Sequence, residues 1–266
     1  MSDKLNREIE KELKYISSQE SEMQRKAMTE EAAWKQIITG SIPEKAYVNL
    51  RAAFATAFNL IFEEGIGIIE KTYDKEELKR RFAEDDSVIQ MKKNRFEIKR
   101  LRNEIARSDK FRLAFTTLEG VGLGILGIGL PDIVIFIGYL LKAIYETSLR
   151  YGYDYDRPEE RLFLLKLMEA SVQKKEKWIE SNERVDDMIE AMPLPGDEEI
   201  RNQVGRTADA LAVDMLVLKF IQGLPVVGAV GGMANPVYYK KIMNYARLKY
   251  HKRYLKDRLK KGETVE

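Results

Sequence analysis

The sequence predicts an all-α fold, a multi-helix bundle with no significant β-sheet, and three observations predict it. Apolar residues recur at three- and four-residue steps along most of the chain, and no segment alternates with the two-residue period of a strand. Helix starts are written at Pro43-Glu44, Pro131-Asp132, Pro158-Glu159-Glu160 and Asn235-Pro236, where proline or a capping residue opens an apolar run. Finally, in a chain that is 33% charged, two stretches carry almost no charge and much glycine. Val121 to Leu141 holds Asp132 as its single charged residue, and Phe220 to Tyr239 holds none. These two segments read as the centre of the molecule, either as a buried spine or as elements that enter a bilayer.

The elements follow in order. Leu5, Ile9, Leu13 and Ile16 give a thin stripe on an amphipathic first helix, which recovers through Ala33, Trp34, Ile37 and Ile38 before Gly40 stops it. Residues 1–40 are therefore expected to pack as one amphipathic helix on a main domain of residues 41–266. A second helix begins at Pro43-Glu44, and Val48, Leu50, Phe54, Phe58, Ile61 and Phe62 argue for burial on most sides. From Asp74 to Arg107 the pattern is charged and helical, with Leu78, Phe82, Val88, Phe96, Ile98, Leu101 and Ile105 inside and a dividing turn at Asp85-Asp86-Ser87. The apolar core segment runs from Phe111 to Leu149, broken at Pro131. A loop at Tyr151–Arg157 leads to one long helix from Pro158 through Leu162, Leu165, Leu167 and Trp178. Met192-Pro193-Leu194-Pro195-Gly196-Asp197 is a linker, followed by a helix from Glu198 to Ile221, the second apolar segment and a basic terminal helix.

Composition excludes several chemistries. There is no cysteine and one histidine, His251, so disulfides, thiolate catalysis, zinc sites and Ser-His-Asp relays lack their parts. The amino terminus opens on charges with no apolar run behind them, which predicts a cytoplasmic chain rather than a secreted one. Net charge is only +2, but its distribution is uneven. Ten Lys or Arg stand between Lys240 and Lys261 against Asp257, and seven acids stand between Glu183 and Glu199 against Arg184. Opposed poles of this kind can turn one face toward phosphates.

Gly122-Leu123-Gly124-Ile125-Leu126-Gly127 matches the dinucleotide fingerprint by letter, but that motif needs a strand before it, and Phe111 to Leu118 is helical in pattern. Glycines at 120, 124 and 127, echoed by Gly228 and Gly232, read instead as surfaces for close helix packing. Asp132, just inside a helix start, suits a cap on the helix dipole, with a ligand role open beside it. Asn235 repeats that logic, and two such helix starts side by side would attract an anion. Asp154, Asp156, Glu159 and Glu160 fit no EF-hand spacing and read as acids at a helix start, so no metal is expected. The basic terminal helix reads as a solvated face, with anionic lipid preferred over nucleic acid as its specific partner because it abuts an apolar segment.

Taken together, Glu119-Gly120 before the glycine-rich run, Pro131-Asp132, Tyr151-Gly152-Tyr153-Asp154 with Pro158-Glu159-Glu160-Arg161, and Leu224-Pro225-Val226-Val227-Gly228-Ala229-Val230-Gly231-Gly232 with Asn235 resemble the EcsC family of bacterial proteins. The resemblance spans residues 43 to 255 and departs at Pro236, where a bulky residue is expected. It implies a helical, membrane-associated accessory protein, and the family's position beside an ABC transporter in gene order implies a transporter as one partner.

The expected function is thus non-enzymatic binding of lipid or a membrane protein, peripheral on the cytoplasmic face of the cell membrane, with no cofactor. The candidate ligand or partner site comprises Glu119, Gly120, Gly124, Asp132, Asp154, Gly228, Gly232 and Asn235. Lys240, Lys241, Arg247, Lys252, Arg253 and Lys256 are the expected contacts to an anionic surface. The alternative is a soluble helical enzyme or small-ligand binder in which Glu119, Asp132, Asp154 and Asn235 converge on a pocket between the glycine-rich segments.

Overall fold

The structure, a computed structural model, describes residues 3–29, 44–107, 131–221 and 236–263. They form helices α1 (Asp3–Thr29), α2 (Glu44–Leu60), a π-helical turn (Ile61–Gly65), α3 (Ile66–Glu70), α4 (Lys75–Lys92), α5 (Arg95–Arg107), α6 (Pro131–Arg150), α7 (Pro158–Val172), α8 (Lys175–Ala191), α9 (Asp197–Ile221) and α10 (Pro236–Glu263). No strand occurs among the described residues. The fold is an all-α bundle.

Proline sets several of the helix starts. Pro131, Pro158 and Pro236 each occupy a first helical position, where a missing amide costs nothing. Two other boundaries differ from the sequence expectation. The turn at Asp85–Ser87 does not exist: α4 runs through it, because Asp85 and Asp86 are buried and face cations on other helices instead of capping. The chain turns at Lys93, which is left-handed (φ 46°), and Asn94 then accepts a hydrogen bond from the Glu97 amide to open α5. The single helix expected from Pro158 through Trp178 is two, divided at Gln173-Lys174. Val48 and Phe96, assigned to inner faces, are 51% and 70% exposed.

The centre of the bundle is α7 and α10. Twelve of the residues of α7 are buried, which removes any amphipathic face. α10 is sheathed by α1, α6, α7 and α8. Its tyrosines 238, 239, 245, 250 and 254 are all core residues. α6 and α10 run parallel with their starts adjacent: Phe136 lies 5.8 Å from Tyr238, Tyr139 5.8 Å from Tyr239, and Tyr151 5.7 Å from His251, ring centre to ring centre. The described parts of the two apolar segments therefore meet. Ile133, Phe136, Ile137, Leu140 and Leu141 from the first, and Tyr238 and Tyr239 from the second, are buried. For these residues the buried-spine alternative holds, and among the described residues no helix is long and apolar enough to cross a membrane. The glycine-rich parts of both segments lie outside the described residues.

The opposed charge poles pack against each other. α8 runs alongside α10 in the same direction, so Asp186 meets Lys249 and Lys252, and Glu190 meets Lys256 and Lys260. The basic helix is neutralised by its own neighbours rather than turned toward solvent. The expectation of a solvated face fails for this reason: Arg253 and Lys249 are buried, and Lys252, Lys256 and Arg258 are partly so.

Candidate functional site

Most of the residues singled out as a ligand site cannot be gathered. Glu119, Gly120, Gly124, Gly228, Gly232 and Asn235 lie outside the described residues, as does the Asp132 side chain. The backbone of α6 begins at Pro131, so Asp132 stands in its first turn. Asp154 lies beyond the other end of that 20-residue helix, about 30 Å away at 1.5 Å per residue. A pocket shared by Asp132 and Asp154 is excluded by this separation.

Asp154 instead belongs to a structural knuckle between α6 and α7. It accepts a hydrogen bond from the Asp156 amide (3.3 Å) and faces Lys75 at 3.8 Å and Lys79 at 4.0 Å. Gly152 is left-handed (φ 83°), and a Cβ there would stand 2.3 Å from Cε1 of Phe82, so only glycine fits. The Tyr153 hydroxyl donates to Asp257 (2.7 Å), and the Tyr155 hydroxyl donates to Glu70 (2.7 Å) while accepting from Tyr73 (2.6 Å). Tyr151-Gly152-Tyr153-Asp154 thus locks α7 and α10 onto α4 and α6.

The proposed anionic-surface contacts are mostly occupied. Lys241 donates to both oxygens of Asp214 at 2.9 Å. Lys252 bonds Glu20 and Asp186, Lys256 pairs with Glu190, and Arg253 pairs with buried Glu160 beneath the rings of Tyr153 and Phe163. Arg247 is half-buried, and Lys240 is exposed near the start of α10.

A buried polar centre fastens α1 to the bundle. Glu12 is fully buried and receives Arg95 (2.9 Å) and Arg102, with His251 Nε2 at 3.6 Å. Burial opposes its charge, but His251, Arg95 and Arg102 outweigh that and hold the carboxyl down at about 2. Burial in turn pushes the His251 imidazole below its ordinary range, against the pull of Glu12. This centre explains why the sole histidine is buried: it is part of a clamp.

The described residues hold a cavity of about 210 Å³ near the start of α10. Its walls come from the last turns of α1, the α7–α8 turn and the second turn of α10, and include Lys26, Gln173, Lys174, Trp178, Lys241 and Asn244. Trp178 is buried and packs edge-on to Tyr245 at 6.5 Å, giving the cavity an apolar wall. No acid lines it. Burial first, and Lys241 second, push the Lys174 ammonium down to about 8, while Asp214 pulls the other way. Of these residues, sequence reasoning found only Lys241. Lys26, Lys174 and Asn244 arrive from three separate helix ends, and no spacing in the chain announces their meeting.

The family model for the EcsC protein family matches residues 6–255. The chain belongs to the EcsC family. The match takes in α1, ahead of residue 43 where the motif resemblance starts, and ends inside α10. The EcsC knuckle, the spine and the Glu12 clamp thus all fall within the family domain. No curated protein and no solved structure matches the chain significantly.

Proposed function

We propose that this EcsC-family protein is a non-enzymatic accessory protein that binds a membrane surface or a membrane protein, with an ABC transporter as one such partner, from the cytoplasmic side. The observation that supports it is the side-by-side packing of Phe136 on Tyr238 and Tyr139 on Tyr239. It sets the starts of α6 and α10 together, and the uncharged, glycine-rich stretches before Pro131 and Pro236 are joined directly to those starts. The last turn of α1 reaches the same end, since Met23, Lys26 and Ala27 share the cavity with Lys241. One end of the bundle thus gathers the attachment points of both apolar stretches, next to a cluster of lysines. Apolar sequence flanked by bases is the layout of a peripheral membrane contact.

The test is fractionation of cells lysed without detergent, with salt and carbonate washes, alongside flotation of purified protein with phosphatidylglycerol vesicles. Pelleting with membranes and co-flotation are expected. Full recovery in the soluble fraction, with no flotation, would overturn the reading. Convergence of acid–base residues in a ligand complex at the cavity would instead favour a small-molecule binder or enzyme.

A further inference from the structure

We infer that the cavity between the end of α1, the α7–α8 turn and the second turn of α10 is a binding site for a phosphate-type oxyanion, carried by a small soluble molecule or by a lipid headgroup. The site does not depend on membrane association; only its headgroup form connects the two.

The charge balance of the walls carries the inference. Three ammonium groups, from Lys26, Lys174 and Lys241, line one space with no carboxylate in the lining. Asp214 holds Lys241 through both oxygens, and the same carboxylate is the one that favours the Lys174 charge. Two partly buried lysines thus share one carboxylate, and Lys26 adds a third cation whose own partner, Glu22, sits on the exposed face of α1 at 3.3 Å. A half-buried positive excess is costly in the empty protein, as the lowered Lys174 value records. An oxyanion placed between Lys174 and Lys241 removes that cost, and lysine serves phosphate well as a compact point charge.

The size of the site narrows the ligand. At about 210 Å³ it is below the ~300–1,000 Å³ of pockets that enclose drug-sized ligands. It has room for a phosphate with a short polyol or similar substituent, about seven water volumes at ~30 Å³ each, and not for a dinucleotide. Gln173 and Asn244 supply amides, Asn244 at the exposed lip. The buried Trp178 face offers an apolar wall to a carbon substituent. Lys241 is five residues from Pro236, so the site lies roughly 8 Å along the axis from the start of α10.

Trp178 also provides the readout. Trp34 and Trp178 are the two tryptophans, so a Trp34→Phe background leaves one reporter in the cavity wall. Its emission is followed while sodium phosphate is titrated against sodium chloride at constant ionic strength, then with phosphatidylglycerol and phosphatidylcholine vesicles. A saturable, phosphate-specific change is expected, with Kd about tenfold weaker or more in Lys174→Met, the loss of one charge-assisted contact. Asn244→Asp, at an exposed position that cannot unfold the core, puts a carboxylate at the lip and is expected to weaken binding as well. Phosphate binding with no response to vesicles upholds the site with a soluble ligand and counts against the membrane reading. A response to phosphatidylglycerol alone, lost in Lys174→Met, upholds it as a headgroup site. Vesicle binding that both variants leave intact, with no phosphate effect, overturns the site and leaves the membrane reading standing. Silence toward phosphate and both vesicles overturns both.

Discussion

Removing Arg253 separates a buried basic helix from a solvated one. Its guanidinium pairs with Glu160, which is 1% exposed, and stacks 3.6 Å from the ring centre of Tyr153 and 5.2 Å from that of Phe163. Arg253→Ala leaves Glu160 with the Tyr250 hydroxyl (3.1 Å) as its remaining donor. Stranding one partner of a buried pair costs about 3–5 kcal/mol, and the lost ring contacts add about 1 kcal/mol. Part of this is returned, because burial already pushes the Glu160 carboxyl above its ordinary range despite Arg253, and without the arginine it takes up a proton. A net loss of about 3 kcal/mol remains, against a total stability on the order of 5–15 kcal/mol. At ~2–4 °C per kcal/mol the melting temperature drops by roughly 6–12 °C. Lys260→Ala removes a half-exposed lysine 3.1 Å from Glu190 and costs about 0–1 kcal/mol.

Urea denaturation followed by far-UV circular dichroism compares the two directly. A second substitution, Glu160→Gln, in the Arg253→Ala chain is expected to return part of the loss, because the stranded charge disappears with it. Equal, small losses for Arg253→Ala and Lys260→Ala would refute the burial of α10 and restore the solvated-face reading.

Three further outcomes are expected. Gly152→Ala forces a side chain into left-handed backbone and against Phe82, costing about 2–3 kcal/mol, and Phe82→Leu in the same chain recovers part of it; an unchanged melt would disprove the knuckle packing. Acid releases α1 first: the Glu12 carboxyl lies below its unfolded value of 4.5, so its contribution is complete above that pH and is lost as pH falls toward about 2. His251, also lowered, adds a loss that begins below 6.5, and hydrogen exchange in α1 read against pH checks both; protection in α1 that outlasts the core would contradict them. Lys174, lowered from 10.5 to about 8 between Lys241 and Asp214, lends stability only above those values and costs it below, so Lys174→Met at pH 7 leaves stability unchanged or raised. A loss above about 1 kcal/mol in that variant, measured by urea at pH 7, would make Lys174 a structural residue instead.

The helix starts were legible because they are local chemistry. Proline at a first position or an acid in a first turn acts within a few residues, so Pro131, Pro158 and Pro236 could be read directly. The breaks at Lys93 and Gln173-Lys174 were not, since left-handed residues there are Lys93 and Lys175 rather than glycine. Asn94 with Glu97 three residues later was the usable signal for the first of these. Charge was misread for a deeper reason. A lysine facing water and a lysine facing a carboxylate on another helix look alike in one dimension. The five buried tyrosines of α10 were the clue that this helix is interior, because a solvated helix has no use for so much aromatic area. The cavity had no clue at all, since it is made where three helix ends meet.

The distribution of acids around α10 then decides where positive charge is left for a partner. From Lys249 onward the helix meets Glu20, Asp186, Glu160, Glu190 and Asp86, drawn from α1, α8, α7 and α4. Its C-terminal half is thereby compensated inside the fold. At the N-terminal end Lys241 meets Asp214, and that carboxylate also serves Lys174, with Lys26 nearby. The excess therefore sits beside the attachment points of the two uncharged stretches, not along the tail where a count of bases puts it. A membrane contact built on the tail requires breaking the pairs that hold α10 in the core, at several kcal/mol for a buried pair such as Arg253 and Glu160. One built on the end of the bundle breaks none of them. For that reason reversal of Lys256 and Lys260, both paired with Glu190, is expected to leave vesicle binding intact, whereas Lys174→Met and Asn244→Asp weaken the headgroup contact. Loss of flotation in the Lys256 and Lys260 reversal, with the fold preserved, would return the contact to the tail.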